Sequence, residues 1–211
     1  MPVLDAWHHC GSARSTAWVY PDGCCDLIWS APPGETPVWF VTELADATYA
    51  VDCQAQHAMF GFRLRPGVLL DSQALLRAVA SIDARDEQRL LSLLGDIAKM
   101  DLRVEEALSC LALSLTVRDA RRTLGVSERS LERLVRGGTG RSPIYWRQLA
   151  RARQAARQVL EGAPLGIIAV DSGYTDQAHM GREFRRWFGA SPGVILRGGA
   201  QYSAITASGY G

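Results

Sequence analysis

From Trp18 to Arg65 the chain alternates short β-branched and aromatic runs (TAWVY, DLIW, PVWFV, TYAV, HAMFGFRL) with turn clusters (PDG, APPGE, ELAD, RPG). That pattern predicts a meander of strands. At about Asp71 the period changes. In DSQALLRAVASI and DEQRLLSLLGDIAKM the apolar residues recur at helical spacing, with Leu90, Leu94 and Ile97 on one stripe. Such a stripe serves equally as a core face or as the seam of a homodimer. From Val104 the helical pattern runs nearly to Leu196, and the Gly/Ser-rich tail from Arg197 is expected to fray. The fold class is therefore α+β. Its expected divisions are a β-rich domain over residues 1–70, a helical linker over 71–102, an all-α domain over 103–197 and a flexible tail over 198–211.

The helical half contains a repeat. LERLVRGGTGRSP (Leu131 to Pro143) lies over MGREFRRWFGASP (Met180 to Pro192), matching at Arg133/Arg182, Val135/Phe184, Arg136/Arg185, Gly140/Gly189, Ser142/Ser191 and Pro143/Pro192. Two copies are too few for a solenoid and point to a paired device. Upstream of each copy sits a short helix ending in glycine. In the first, Thr116 and Asp119 form a capping-box pattern, Gly125 takes the left-handed position, and Ser127 caps the next helix. In the second, Ile167 to Ser172 precedes Gly173, and Thr175 or Asp176 caps a helix from Gln177 to Phe188. Helix, glycine turn and capped helix is the helix-turn-helix plan.

In each second helix the apolar residues (Leu131, Leu134, Val135; Met180, Phe184, and Trp187 or Phe188) take one face. The other face is left for double-stranded DNA. It presents Arg129, Glu132, Arg133 and Arg136 in the first unit, and Gln177, Ala178, Gly181, Arg182 and Arg185 in the second. Arg pairs bidentately with guanine and Gln with adenine, while Glu accepts from cytosine. The remaining arginines hold phosphates and set register. One such helix alone would read as a solvated surface, and the duplication decides against that. Tyr145 to Glu161 reads as one long helix fixing the separation of the units.

Charge supports the division. The net charge of +1 conceals 8 Lys and Arg against 15 Asp and Glu in residues 1–115, and 15 against 7 in residues 116–211. A basic half joined to an acidic one is the footprint of a phosphate-contacting module attached to a sensor or partner module. No apolar stretch reaches membrane-spanning length and no secretory leader pattern appears, so the expectation is a cytoplasmic protein without a membrane partner. The five cysteines form no disulfide framework and are expected as free thiols.

With these residues in view, the stretch from about Arg103 to Leu196 resembles the AraC family of bacterial transcription regulators. The residues that carry the resemblance are Gly140, Ser142, Pro143, Trp146 and Arg151, then Ile168, Ala169, Gly173, Tyr174, Asp176, Gly189, Ser191 and Pro192. The resemblance implies two tandem helix-turn-helix units, with Arg129, Glu132 and Arg133, then Gln177, Ala178, Gly181 and Arg182, at base-reading positions. It implies a transcription regulator rather than an enzyme, with RNA polymerase among its partners. Two departures stand out. Arg121 occupies the position at a tight helix crossing where the second unit has the small Ala169, and Gly181 removes a side-chain contact at an exposed position. The units are therefore expected to contribute unequally. YPDGCCDLIW (Tyr20 to Trp29) and FGFRLRPG (Phe60 to Gly67) resemble the short β-rich N-terminal domain of a subset of these regulators, which implies a cupin-like or partial barrel sensing an unknown small-molecule effector.

Within that half, Trp18, Trp29, Trp39, Phe60 and Phe62 are candidates to line a ligand pocket, although strands favour aromatics as core in any case. Cys10, Cys24, Cys25, Cys53 and His57, with His8 and His9 nearby, are candidate soft metal ligands or oxidant-sensing thiols. Their spacing follows no metal pattern, and no cofactor is expected. Cys24 or Cys25 with His57 is the one nucleophile and base pair open to a thiol enzyme such as a DNA-repair alkyltransferase.

Overall fold

The computed structural model describes residues 1–211, the side chain of Ala200 excepted. Seven strands open the chain: β1 (Val3–Cys10), β2 (Ser15–Val19), β3 (Asp26–Ala31), β4 (Val38–Val41), β5 (Tyr49–Cys53), β6 (Ala58–Leu64) and β7 (Val68–Leu69). They do not form the expected meander. β1, β6, β3 and β4 make a four-stranded sheet in that order, β2 and β5 pair as a separate ribbon, and β7 pairs with β8 (Lys99–Met100). All of these pairings are antiparallel. The domain is thus an open four-stranded sheet with a separate ribbon beside it, and no barrel closes.

Strand alternation sorts the side chains onto two faces. Leu27, Phe62 and Leu64, with Trp39, Val41 and Phe60, share one apolar cluster with Leu75, Val79, Leu90 and Leu94 from helices α1 (Ser72–Val79) and α2 (Glu87–Ile97). The helix residues of that cluster are fully buried. Residues 71–100 are therefore part of the N-terminal domain and not a linker. The Leu90/Leu94 stripe is consumed by this core and offers no seam to a second copy. The opposite face of the sheet carries Asp26, Ile28, Met59 and Arg63, and Gly61 stands in register with Trp7. A Cβ at Gly61 would lie 2.6 Å from the Trp7 ring, so the glycine is what lets the indole approach the strand.

The second half comprises α3 (Leu102–Leu113), α4 (Val117–Thr123), α5 (Glu128–Thr139), α6 (Pro143–Leu160), α7 (Leu165–Asp171), α8 (Gln177–Phe188) and α9 (Pro192–Gly198). α6 is the shared axis. Its Trp146, Leu149, Ala152, Ala155, Ala156 and Val159 are fully buried in one core with Leu111, Leu131, Val135, Phe184 and Trp187.

The tail is packed, contrary to the expectation from its composition. Gly199–Thr206 forms a 3₁₀ helix and Ile205 is fully buried. The Tyr210 ring meets Trp146 at 4.8 Å between centroids, its hydroxyl donates to the Leu108 carbonyl, and its N–H donates to the Asp22 carbonyl. Three apolar anchors, Tyr202, Ile205 and Tyr210, outweigh the glycines and serines around them. Two arginines of α6 secure the backbone: Arg153 donates to the Ala207 carbonyl and Arg157 to that of Gly211.

Candidate nucleic-acid interface

Each unit is built by the same local chemistry. Thr116 caps α4 by accepting from the Asp119 N–H at 3.1 Å, and its hydroxyl donates to the Asp119 carboxylate. α4 stops at Gly125 (φ 66°), where the Val126 N–H reaches back to the Arg121 carbonyl and the Gly125 N–H to that of Arg122. α7 stops in the same way at Gly173 (φ 72°), with Tyr174 N–H on the Ala169 carbonyl and Gly173 N–H on that of Val170. These paired bonds satisfy the carbonyls a helix end leaves free, and the left-handed backbone explains the glycine. Ser127 and Asp176 then cap α5 and α8. Asp176, and not Thr175, is the second cap, so the second turn is one residue longer.

The repeated G-x-S-P has a physical meaning. α5 and α8 end at the left-handed Gly140 and Gly189, and α6 and α9 begin with Ser142-Pro143 and Ser191-Pro192. Glycine stops one helix, serine occupies the cap position of the next, and proline presets the first helical φ. Ser142 accepts from the Tyr145 N–H, whereas Ser191 makes no such bond.

The faces turned outward are mostly those expected. Arg129, Arg133 and Arg136 are exposed on α5, and Glu132 is half-buried and paired with Arg136 at 2.7 Å. Gln177, Ala178, Arg182 and Arg185 are exposed on α8. Gly181 is a correction: it is buried, because the Arg185 guanidinium folds back and donates to its carbonyl at 3.4 Å. Arg121 is another. The fully buried small residue of α4 is Ala120, one position earlier, and Arg121 sits half-exposed, so the first unit carries no strained crossing.

Arg151 fastens the second unit to α6. It pairs with Glu183 of α8 at 2.8 Å, donates to the Gly173 carbonyl at 3.3 Å, and lies over the Tyr174 ring at 4.4 Å from its centroid. Burial pushes the Tyr174 hydroxyl well above its ordinary value. Glu183 escaped the reading of the sequence; a lone carboxylate next to the buried Met180, Phe184 and Trp187 was the available signal.

In the N-terminal half the candidate residues separate. A cavity of about 420 Å³ lies between the β2–β5 ribbon and the sheet, and of the five aromatics proposed to line a pocket only Trp18 reaches it, beside Trp7, Tyr20 and Phe40. Trp29, Phe60 and Phe62 border a depression near Asp83 and Arg85, and Trp39 packs with the helix-facing core. They sit at positions of the opposite parity along their strands. All five cysteines are free, with Cys24 and Cys53 buried and Cys10 exposed. Among the described residues no three His, Cys, Asp or Glu gather as a metal site. Burial, reinforced by Asp26 and Asp22, pushes the Cys25 thiol up to about 11, and Cys24 rises further. A reactive thiol needs the opposite shift. His57 meets Ser30 Oγ at 2.8 Å, which occupies the histidine of the candidate cysteine and histidine pair.

Two capped helices of one design, carried on a common axis with basic faces outward, define a tandem helix-turn-helix module. Residues 121–198 match the family model described as "Helix-turn-helix domain". The HTH-type transcriptional regulator GlxA of Rhizobium meliloti (strain 1021) is 33% identical over 108 residues, which are 50% of this chain and 31% of that protein. The chain thus spans about a third of the length of the curated relative it matches. Residues 121–198 thus match a helix-turn-helix domain, and 108 residues of the chain are similar to an HTH-type transcriptional regulator. Among solved structures, the C-terminal domain of AraT, a response regulator from Geobacillus stearothermophilus, is 26% identical over 45% of this chain and 84% of that one, with a TM-score of 0.42. ToxT from Vibrio cholerae O395 is 10% identical over 99% of this chain and 96% of that one, with a TM-score of 0.45. No helix among the described residues is long and apolar enough to cross a membrane.

Proposed function

We propose that the chain is a cytoplasmic transcription regulator that reads a specific duplex sequence through α5 and α8 and answers to a small molecule held in the N-terminal domain. The observation that carries this reading is the pair of side-chain-capped helices packed on α6, each presenting exposed side chains suited to base edges: Arg129 and Arg133 on one, Gln177 and Arg182 on the other. Arg136 and Arg185, at the far ends of the same faces, suit phosphates. RNA polymerase is the partner on which such binding acts.

A gel-shift series on the DNA upstream of the protein's own coding sequence, run at several salt concentrations, tests the proposal. A specific complex with a steep salt slope is expected. Arg182→Ala should weaken binding by about 1–3 kcal/mol and relax preference at one base position, whereas Arg185→Ala should weaken it on all sequences alike. No specific complex at any salt, or identical behaviour of the two variants, refutes the assignment of the second reading face or the function with it.

A further inference from the structure

The cavity of about 420 Å³ takes no part in reading DNA. Its mouth is aromatic: Trp18, Phe40 and Tyr49 all line it and are 48%, 39% and 44% exposed. A single exposed apolar side chain is ordinary, but three rings around one opening are a patch with a purpose. The floor is charged. Arg63 bridges Asp22 at 3.3 Å and Asp26 at 3.2 Å, so two carboxylates share one guanidinium, and Glu43 adds a further carboxylate to the lining. His8 and His9 also line the cavity, and the next guanidinium, Arg153, lies outside it with Nη1 and Nη2 on the Pro21 and Ala207 carbonyls and Nε without a partner. Aromatic faces thus stand over an excess of negative charge. Burial first, and Asp22 and Asp26 after it, raise the Tyr49 hydroxyl and the Cys24 and Cys25 thiols.

We infer that this cavity binds a small organic cation, an amine or quaternary ammonium group on an apolar body. The head lies among the faces of Trp18, Phe40 and Tyr49 and is drawn towards Asp26 and Glu43. An anionic ligand would meet three carboxylates and a guanidinium already engaged through Nε and Nη1. Ala204 and Ala207 of the tail complete the wall, so the occupant touches the segment that Arg153 ties to α6. The inference names the effector class for the regulator proposed above and rests on that reading only for what the ligand controls.

Calorimetry on the full chain with 3-phenylpropylammonium, 3-phenylpropan-1-ol and 3-phenylpropionate tests it. The cation should bind about tenfold more tightly than either isostere, the order expected of a cation over aromatic faces. Trp18→Ala and Glu43→Gln, both at exposed positions that leave folding intact, should each weaken the cation and leave the alcohol unchanged. Alcohol or carboxylate binding as tight as the cation's, or no binding of any probe at millimolar concentration, overturns the inference. A gel shift on the same preparation separates the two proposals. Intact DNA binding without cation preference removes the cavity assignment alone, and cation preference without DNA binding removes the regulator alone.

Discussion

Removing Glu183 is expected to loosen the second helix-turn-helix unit from its axis. The Arg151 and Glu183 side chains are 14% and 10% exposed and meet at 2.8 Å. Deleting one partner of a buried pair leaves a desolvated charge and costs about 3–5 kcal/mol. Arg151 keeps the Gly173 carbonyl and the Tyr174 face when Glu183 is lost, so Glu183→Ala belongs at the lower end, about 3 kcal/mol. For a chain of this size each kcal/mol lowers Tm by about 2–4 °C, which makes a drop of about 6–12 °C. Arg151→Ala should cost at least as much, because the carbonyl bond and the ring contact go with it. The double variant should recover part of the sum. Urea unfolding of wild type, both single variants and the double variant gives the coupling energy, with hydrogen exchange locating the opening in α7 and α8. A coupling under about 0.5 kcal/mol, the margin within which independent sites add, would show that the pair does not hold the unit in place.

Gly140→Ala and Gly189→Ala, at φ 70° and 69°, should each cost about 1–2 kcal/mol by thermal unfolding, since a Cβ crowds the following carbonyl in the left-handed region. Gly61→Ala should displace the Trp7 indole at a cost of about 1–3 kcal/mol and change tryptophan emission, because the new Cβ overlaps the ring. Thiol labelling of the folded protein should reach the exposed Cys10 first. Cys25, whose thiol lies at about 11, should label at a rate that climbs about tenfold per pH unit up to that value, since only the thiolate reacts. Removing residues 199–211 takes away the buried Ile205 and Tyr210 and should cost about 3 kcal/mol or more in urea, from apolar burial alone.

The helical half was legible because its signals are local. Thr116, Ser127, Asp176 and the left-handed glycines each act within one turn, and the repeat doubles every signal. The strands themselves were legible from β2 to β6, but their order was not, since β1 and β6 pair across some fifty residues and nothing in either run names its neighbour. VLDAWHHC, which becomes β1, lacks a clean alternation. The Trp and Phe residues looked like one cluster because they are close in sequence, yet the side they face depends on strand parity. The Leu90/Leu94 stripe showed that α2 has a partner without saying whether that partner is a sheet or another copy. The tail was misjudged on its glycines and serines, and the sequence offered no hint that arginines of α6 would hold its carbonyls.

α6 is one unbroken helix of 18 residues, about 27 Å from end to end. With α5 entering it through the Ser142 cap and α8 pinned to it by Arg151, the protein works as a ruler of constant length. One base pair inserted between the two contacted stretches would move one by about 3.4 Å and rotate it by about 35°, a displacement a rigid helix does not follow. For the DNA reading proposed above, the site is therefore a single word of invariable length, gained or lost by substitution and not by respacing, and a genome scan for it needs one contiguous pattern and no gap term.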